Sequence, residues 1–493
     1  MAIHSFEQAV QLLNDRINLE HLQDFTSQDL ENRLGILQEI LTSLGNPETT
    51  YRAVHVAGTK GKGSTCVILE SMLLKEGWRV GRYTSPHNYS FLERLAINGV
   101  SCPPDDFTEL FFSVYERIEP DTLQLLTYFE LLTLLAFVYF ARQKVDIAIF
   151  EVGLGGKHDA TNLCRPDVSI ITSISYDHMQ QLGPSLSAIA AEKSGIIKPD
   201  VPVVTTVLHP EPQNVIRDRT QSIGAPLFVL DEHFFIRPSS LPKAPRYTFR
   251  YDAVPPDFPV EFSVDAVTLK MQGAHQIRNA SAALSAFLLL HQGGREFDAE
   301  TMRSGLHDSF LPLRGEMIHP TEASPTIIFD GAHNRSPMRA FLKMVTELFP
   351  KQRHLLVFGV SLGKDVEGMF AEISGRFHHI FLTQSSNVRR FPPQGLRSIL
   401  ALQPDRIQET EQRDEEDYLD LSVGLQPESS SVITFPVDIE REMKHITVAE
   451  DCKDALTQCL QMATPEDVVC IAGSLYLAAE LREVFLAQGF AGK

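Results

Sequence analysis

The sequence predicts an α/β protein of two domains: a large N-terminal one built on a mainly parallel sheet, and a smaller C-terminal one of Rossmann-like type. Three observations predict it. From about 52 to 210, short β-branched runs (AVHVAG, DIAIFEVG, VSIITSIS, VPVVTTV) alternate with helical patterns, the rhythm of parallel strands joined by crossover helices. A second alternating series runs from TIIFDGA near 326 through HLLVFGVS and HIFLTQ to DVVCIAGSLYLAAELREVF. At 493 residues the chain also exceeds what one core normally serves.

The elements follow in order. The N-terminal segment MAIHSFEQAVQLLNDRINLEH mixes acids and apolar residues at helical spacing and lacks the continuous apolar core of a signal peptide. The run LLTLLAFVYFA at 131–141 is too short to cross a bilayer and reads as a buried helix followed by the strand VDIAIFEVG. Residues 225–272 shift to proline-rich, strand-like pieces, an antiparallel extension of the first domain. Helix resumes at HQIRNASAALSAFLLLHQ. The stretch SFLPLRGEMIHPTEASP at 309–325 breaks both periodicities, so the domains are expected at 1–312 and 313–493. The acidic stretch 403–431 is poor in core-forming residues and reads as a surface insertion.

Composition narrows the function. Lys plus Arg number 44 and Asp plus Glu 63, so the formal charge is 44 − 63 = −19, which repels nucleic acid and anionic lipid. Small-molecule substrates are expected, and an anionic one needs a local basic pocket. The six cysteines, Cys66, Cys102, Cys164, Cys452, Cys459 and Cys470, lack CxxC spacing and read as reduced packing residues. A cytoplasmic protein follows, with no membrane span.

The chemistry concentrates in AVHVAGTKGKGSTCVILESML, which places a strand, a glycine-rich turn and a helix in the order a phosphate-binding loop requires. Gly58, Gly61 and Gly63 free backbone N–H groups to face phosphates, Thr59 and Thr65 flank them, Lys62 supplies a point charge, and Ser64 is placed to hold magnesium. The spacing GTKGKGS departs from GxxxxGK[ST] by one glycine. Lys60 is expected to be solvated. Glu151 ends the strand DIAIFE beside GLGG, where ligands gather in an open parallel sheet and where a carboxylate suits a hard cation. His178 follows VSIITSIS and is expected near a strand's carboxyl end, as a ligand or as a packed or solvated histidine. Lys193 falls in the last turn of a helix ending near Gly195, where a lysine commonly caps carbonyls.

Taken together, HVAGTKGKGST (55–65), YTSPH (83–87), ERLAING (93–99), YFELLTLLAF (128–137), EVGLGGKHDATN (151–162), DHMQQLG (177–183), EKSGIIKP (192–199), FDGAHN (329–334) and GSLYLAAELR (473–482) resemble the folylpolyglutamate synthase and dihydrofolate synthase family of the Mur ligase group. The resemblance implies a large N-terminal P-loop ATPase domain, a smaller C-terminal ligase domain, and ATP-dependent addition of L-glutamate to tetrahydrofolate and dihydropteroate through an acyl phosphate. It implies Ser64 and Glu151 on one magnesium ion and His178 with a carbamylated Lys193 on a second. It places Asn279, Arg314, Asp330 and His333 around ATP, with Asp330 toward the ribose. Lys62, Lys193, His178 and His333 thereby become the catalytic candidates. Ser85, Pro86 and His87 match a segment near the folate site, and Asp159 an acid linked to dihydropteroate use, although Asp159 equally suits an Asx turn at DATN. Lys157 stands where many relatives carry arginine, and His158 at a variable position. A monomer is expected. A peptidoglycan-precursor ligase of the same group and a non-catalytic nucleotide switch remain as alternatives.

Overall fold

The structure, a computed structural model, describes residues 5–16, 27–241, 247–291, 298–319, 321, 324–401 and 445–487. The acidic stretch 403–431 lies outside them. The chain divides into two compact units, one comprising Met1–Ala244, Thr248–Leu269 and Gln276–Phe310, the other Pro245–Tyr247, Lys270–His275 and the chain from Leu311 on.

The first unit is organised by eight strands: β1 (Arg52–Ala57), β2 (Val80–Tyr83), β3 (Leu95–Ile97), β4 (Val100–Ser101), β5 (Ile147–Glu151), β6 (Val168–Ile171), β7 (Val203–Thr205) and β8 (Leu227–Val229). Their order across the sheet is β4-β3-β2-β5-β1-β6-β7-β8. β2, β5, β1, β6, β7 and β8 pair in parallel, while β3 and β4 form an antiparallel edge. β1 therefore lies between β5 and β6, and the loops leaving these three strands open at one edge. Strands buried on both faces carry continuous apolar runs, which is why IAIFE and VSII do not alternate.

The run at 131–141 forms the buried part of the helix Tyr128–Arg142, with Leu131 to Phe140 all buried. A capping box starts it: the Thr127 hydroxyl accepts from Glu130 N at 3.2 Å and Glu130 Oε2 accepts from Thr127 N at 2.8 Å. Glu130 also takes Arg33 Nε at 2.8 Å, so its buried charge is paired. Behind β5 this helix packs rings together, with Phe150 within 4.8 Å of Phe137, 5.7 Å of Phe140 and 6.4 Å of Tyr83, centroid to centroid.

The middle strands differ in part from expectation. β8 joins the parallel sheet, whereas β9 (Phe234–Pro238), β10 (Phe249–Ala253) and β11 (Phe262–Val267) form a separate antiparallel sheet in the order β11-β10-β9. The reason is polar alternation. Each of these three strands buries only part of its residues, which suits a one-sided sheet and not the doubly covered one.

The second unit has its own six-stranded sheet of β12 (Glu316–Ile318), β13 (Thr326–Phe329), β14 (His354–Phe358), β15 (His379–Leu382), β16 (Ile446–Val448) and β17 (Val468–Ala472), ordered β12-β13-β17-β14-β15-β16. All pairs are parallel except β12 with β13. Arg482 holds the β12 edge through Glu316 at 2.7 and 2.8 Å. All six cysteines are buried and free. Among the described residues no helix is long and apolar enough to cross a membrane. Replacing Phe150 by Ala removes a fully buried ring from the first core and should lower stability by about 3–5 kcal/mol. Denaturant unfolding measures this, and a loss below about 1 kcal/mol would contradict the central place given to the ring.

Candidate active site at the carboxyl edge of the first sheet

β1 ends at Ala57 and the helix Lys62–Lys75 begins after four intervening residues, so Gly58–Gly61 must reverse the chain in very little space. Gly58 has φ +146° and Gly61 φ +88°, conformations that side chains rarely adopt. Space excludes side chains as well: a Cβ on Gly58 would meet Thr172 Oγ1 at 1.9 Å, and one on Gly61 would meet Asn279 Oδ1 at 2.2 Å. The loop is held by the segment that leaves β6. Thr59 N donates to Ser173 O at 2.6 Å, Lys60 N to Ser173 Oγ at 3.0 Å, and Ser175 N to Thr59 Oγ1 at 3.1 Å. Thr172 Oγ1 donates to Lys60 O at 2.7 Å. Asn279, in the second turn of the helix Ala274–Leu290 and not at its start, donates through Nδ2 to Gln276 Oε1 at 3.0 Å, which orients its amide.

Lys62 opens the helix and its Nζ donates to Gly58 O at 3.2 Å, across the loop. Gly63 and Ser64 follow in the first turn, where backbone N–H groups lack helical acceptors, whereas Thr65 N donates to Gly61 O at 2.9 Å. Ser64 and Thr65 are buried, and Thr65 Oγ1 has no partner. Lys60 is not solvated as expected: it pairs with Asp177, since the loop after β6 returns beside the glycine turn and brings an acid to it. Neighbouring His178 has φ +50° and a half-exposed side chain with Nε2 3.8 Å from Asp177 Oδ1. It lies on a loop, since β6 already ends at Ile171.

Glu151, the last residue of β5, is buried and accepts from Ser85 N at 3.0 Å. That bond ties the Ser85–Pro86–His87 segment beyond β2 to β5. Arg94 Nε donates to His87 Nδ1 at 3.1 Å, which leaves the ring proton on Nε2, and burial with the Arg94 charge lowers the His87 pKa to about 4. Lys193 ends the helix Leu186–Lys193 and is 4% exposed. Its pKa falls to about 7, chiefly through burial and then through the charges of Lys62 and Lys60, against the opposing pull of Asp177 and Asp159. Lys193, Lys62, Lys60 and Asp177 therefore share one electrostatic environment.

Asp159 takes the turn position. Its side chain caps the 3₁₀ turn Ala160–Leu163 by accepting from Thr161 N at 2.9 Å, and it also accepts from Gly153 N and Leu154 N, each at 3.0 Å. In the second unit, Asp330 follows β13, is partly buried, and accepts from Gly315 N at 2.7 Å and Ala332 N at 2.8 Å, while desolvation of its carboxylate raises its pKa to about 6. Arg314 Nη1 lies where a Cβ on Gly331 would be, 2.5 Å away, and His333 Nδ1 donates to Gly331 O at 2.7 Å. Three residues of the first unit went unread in the sequence: Thr172, Ser173 and Asp177. Their signal was a run of hydroxyls and an acid directly after an apolar strand.

The comparisons fall on this geometry. Residues 56–287 match the Mur ligase middle domain and 314–475 the Mur ligase glutamate ligase domain. The parallel sheet with its glycine loop and the second α/β sheet thus define a ligase of the Mur group. The dihydrofolate synthase/folylpolyglutamate synthase of Bacillus subtilis is 35% identical over 353 residues, which cover 70% of this chain and 80% of that protein. The folylpolyglutamate synthase of Lacticaseibacillus casei is 31% identical over 404 residues, covering 80% and 90%. A crystal structure of folylpolyglutamate synthase from Thermotoga maritima superposes with a TM-score of 0.75 at 26% identity, covering 98% of this chain and 97% of that one. The chain belongs to the folylpolyglutamate synthase and dihydrofolate synthase family.

The close approach at Gly61 is directly testable. Gly61→Ala should cost about 1–3 kcal/mol of stability in denaturant unfolding, from the left-handed backbone and the contact with Asn279. Adding Asn279→Ala should restore part of that loss, and a double variant with no recovery would exclude the contact.

Proposed function

We propose that this protein uses ATP to add L-glutamate to tetrahydrofolate, extending a polyglutamate chain, and to dihydropteroate, through an acyl phosphate. The observation that carries this reading is the convergence of a glycine loop, Lys62 and a buried near-neutral Lys193 at the edge where β5 ends in Glu151. A carboxylate does not react with an amine at neutral pH until its oxygen is made a leaving group. Phosphoryl transfer from ATP does this, and catalysis of that step rests on positioning and charge. Backbone N–H groups at the start of the helix, those of Lys62, Gly63 and Ser64, receive the phosphates, and Lys62 Nζ moves from Gly58 O to the transferring group. The glutamate amine then attacks the acyl carbon and phosphate departs.

Magnesium fits the donors available. Ser64 and Glu151, both buried, offer hard oxygens for one ion, and the Thr65 hydroxyl in the same helical turn as Ser64 is buried without a partner. His178 with a carbamylated Lys193 would hold a second. Among the described residues no three His, Cys, Asp or Glu side chains form a cage, which suits a cation held partly by phosphate oxygens and water. Bound magnesium would supply charge neutralisation at the phosphates. The neutral Lys193 amine can attack carbon dioxide, forming an N–C bond and losing a proton, which turns a cation into an anionic ligand. Residues 1–312 serve in this reading as the ATP- and folate-binding domain and 313–493 as the ligase domain, with Arg314, Asp330 and His333 meeting ATP and Asp330 facing the ribose. Ser85, Pro86 and His87 border the folate. A monomer agrees with a sequence in which no heptad seam is evident, and a cytoplasmic location with six cysteines that lack CxxC spacing.

Phosphate release with magnesium, glutamate and either folate substrate, with products weighed by mass spectrometry, tests the reaction. Mass gain of one glutamate on both is expected, and gain on neither would exclude the proposal. Lys62→Ala and Glu151→Ala should each lower kcat by about 10²–10³-fold or more while the fold persists. Wild-type rates would remove either residue from the mechanism. Carbon-13 bicarbonate should give a carbamate resonance that is absent in Lys193→Ala. Because the amine is neutral only above its pKa of about 7, the resonance should weaken as pH falls through 7. An unchanged resonance in the variant would rule Lys193 out.

A further inference from the structure

The helix Lys62–Lys75 carries an acid that the chemistry proposed above does not use. Lys62, Cys66 and Glu70 recur every four residues and so line one face of the helix, with Glu70 two turns beyond the phosphate end. Glu70 is 3% exposed, and both of its oxygens are engaged: Oε2 accepts from Arg82 Nε at 2.6 Å and Oε1 from Gly99 N at 2.8 Å. Arg82 stands on β2 with its side chain 12% exposed. Gly99 (φ +76°) belongs to the tight turn between β3 and β4, so one carboxylate ties the phosphate helix to two neighbouring pieces of the sheet.

Arg82 passes the connection along β2. Its guanidinium is a planar fork: while Nε is held by Glu70, Nη1 donates to Thr84 Oγ1 at 2.9 Å. Burial opposes the Arg82 charge and the Glu70 carboxylate outweighs that opposition, so the pKa is raised, with smaller contributions from Cys66 and Glu151. Thr84 leads directly into Ser85, Pro86 and His87. Thr84 N donates to Arg94 O at 3.2 Å, Arg94 Nε donates to His87 Nδ1, and Ser85 N donates to Glu151. The segment therefore has three fastenings, to Arg94, to Glu151 and, through the Thr84 hydroxyl and Arg82, to Glu70. Of these three the last alone reaches the phosphate helix. An ion pair this deep adds little net stability, because desolvating two charges offsets most of their attraction, and apolar side chains of the same volume serve a core as well. What apolar side chains lack is direction, whereas the fork demands Glu70 and Thr84 at set places.

We propose that Glu70 and Arg82 are positioning residues for the ligase reaction: acting through Thr84, they hold the Thr84–His87 segment in register with the helix that carries Lys62 and Ser64, so that the carboxylate to be activated meets the transferring phosphoryl group. This rests on the phosphate and folate roles proposed above for that helix and that segment. A small misplacement between two bound reactants slows the step that joins them while each keeps its own contacts. The effect therefore falls on kcat, and on both folate substrates alike.

Two sets of variants decide it. Thr84→Val keeps shape and removes the last member of the link, and Thr84→Ser keeps the hydroxyl. Thr84→Val should lower kcat about tenfold or more with both dihydropteroate and tetrahydrofolate, the scale of one lost hydrogen bond to a charged group, with KM for ATP and each folate within about threefold. Thr84→Ser should recover most of kcat. The double variant Glu70→Met/Arg82→Met replaces the pair by apolar side chains. Its denaturant midpoint should lie closer to wild type than that of Arg82→Met, which strands the Glu70 charge, while its kcat stays as low as that of Thr84→Val. Amide hydrogen exchange at Ser85 should quicken in Thr84→Val and not in Thr84→Ser. Should the double variant fail to fold, the two Thr84 variants carry the comparison. Wild-type kcat and exchange in Thr84→Val, a double variant that regains kcat together with stability, or a loss confined to KM overturns the proposal. Failure of the ligase reading itself looks different: the unmodified protein then adds glutamate to neither folate, and exchange at Ser85 still decides whether the link holds the segment.

Discussion

Everything at the candidate site depends on how closely one loop approaches its neighbours. Gly58 and Gly61 pass within contact distance of Thr172 and Asn279 with no space for another carbon. A loop so confined cannot wander, and its N–H groups are aimed before any nucleotide arrives. Preorganisation of this kind matters because donors that need not reorient stabilise developing charge without further cost. The confinement comes from sheet order: β1 lies between β5 and β6, so the loop rising from β1 is flanked by the chain leaving each. The residues that hold it are hydroxyls and backbone groups. Charged groups join them, Lys62 Nζ reaching across the turn to Gly58 O and Lys60 pairing with Asp177.

Burial then does different work at different groups. At Glu130 it is compensated by Arg33 and a capping box, and the result is a stable helix start. At Lys193 it is not fully compensated, since Lys62 and Lys60 oppose the charge as well, and the result is an amine that can be neutral near physiological pH. At His55, 2.9 Å from the Thr161 hydroxyl whose proton goes to Asp159, burial removes the charge altogether and leaves a fixed donor. One physical effect yields a cap, a near-neutral amine and a strut, depending on which partners surround the group.

The parts of this structure legible in the sequence were those where backbone geometry or periodicity restricts residue type. The glycine loop, the buried helix after 128, the Glu151 strand end and the two alternating series all carry such restrictions. What escaped notice depends on adjacency across the sheet. Lys60 and Asp177 are 117 residues apart, and His55 and Thr161 are 106 apart. Their pairing follows only once β1 is known to lie beside both β5 and β6. Asp159 was half legible, as DATN suggested an Asx turn, but the two amides of Gly153 and Leu154 that complete its set became evident only in the folded loop. The separate sheet of β9, β10 and β11 was likewise hidden, because alternation reveals a one-sided strand and not the sheet it joins.

The aromatic layer behind β5 bears on how such a protein diverges. Phe137, Phe140 and Phe150 form the wall of the first sheet, whereas Lys62, Glu151 and Lys193 stand at the ends of helices and of a strand. Selection on the wall is for volume, and selection on the edge is for particular atoms. Over long descent the wall can therefore exchange one bulky apolar residue for another while the edge stays nearly unchanged, so kinship between distant members is written in short islands of identity separated by drifting apolar stretches.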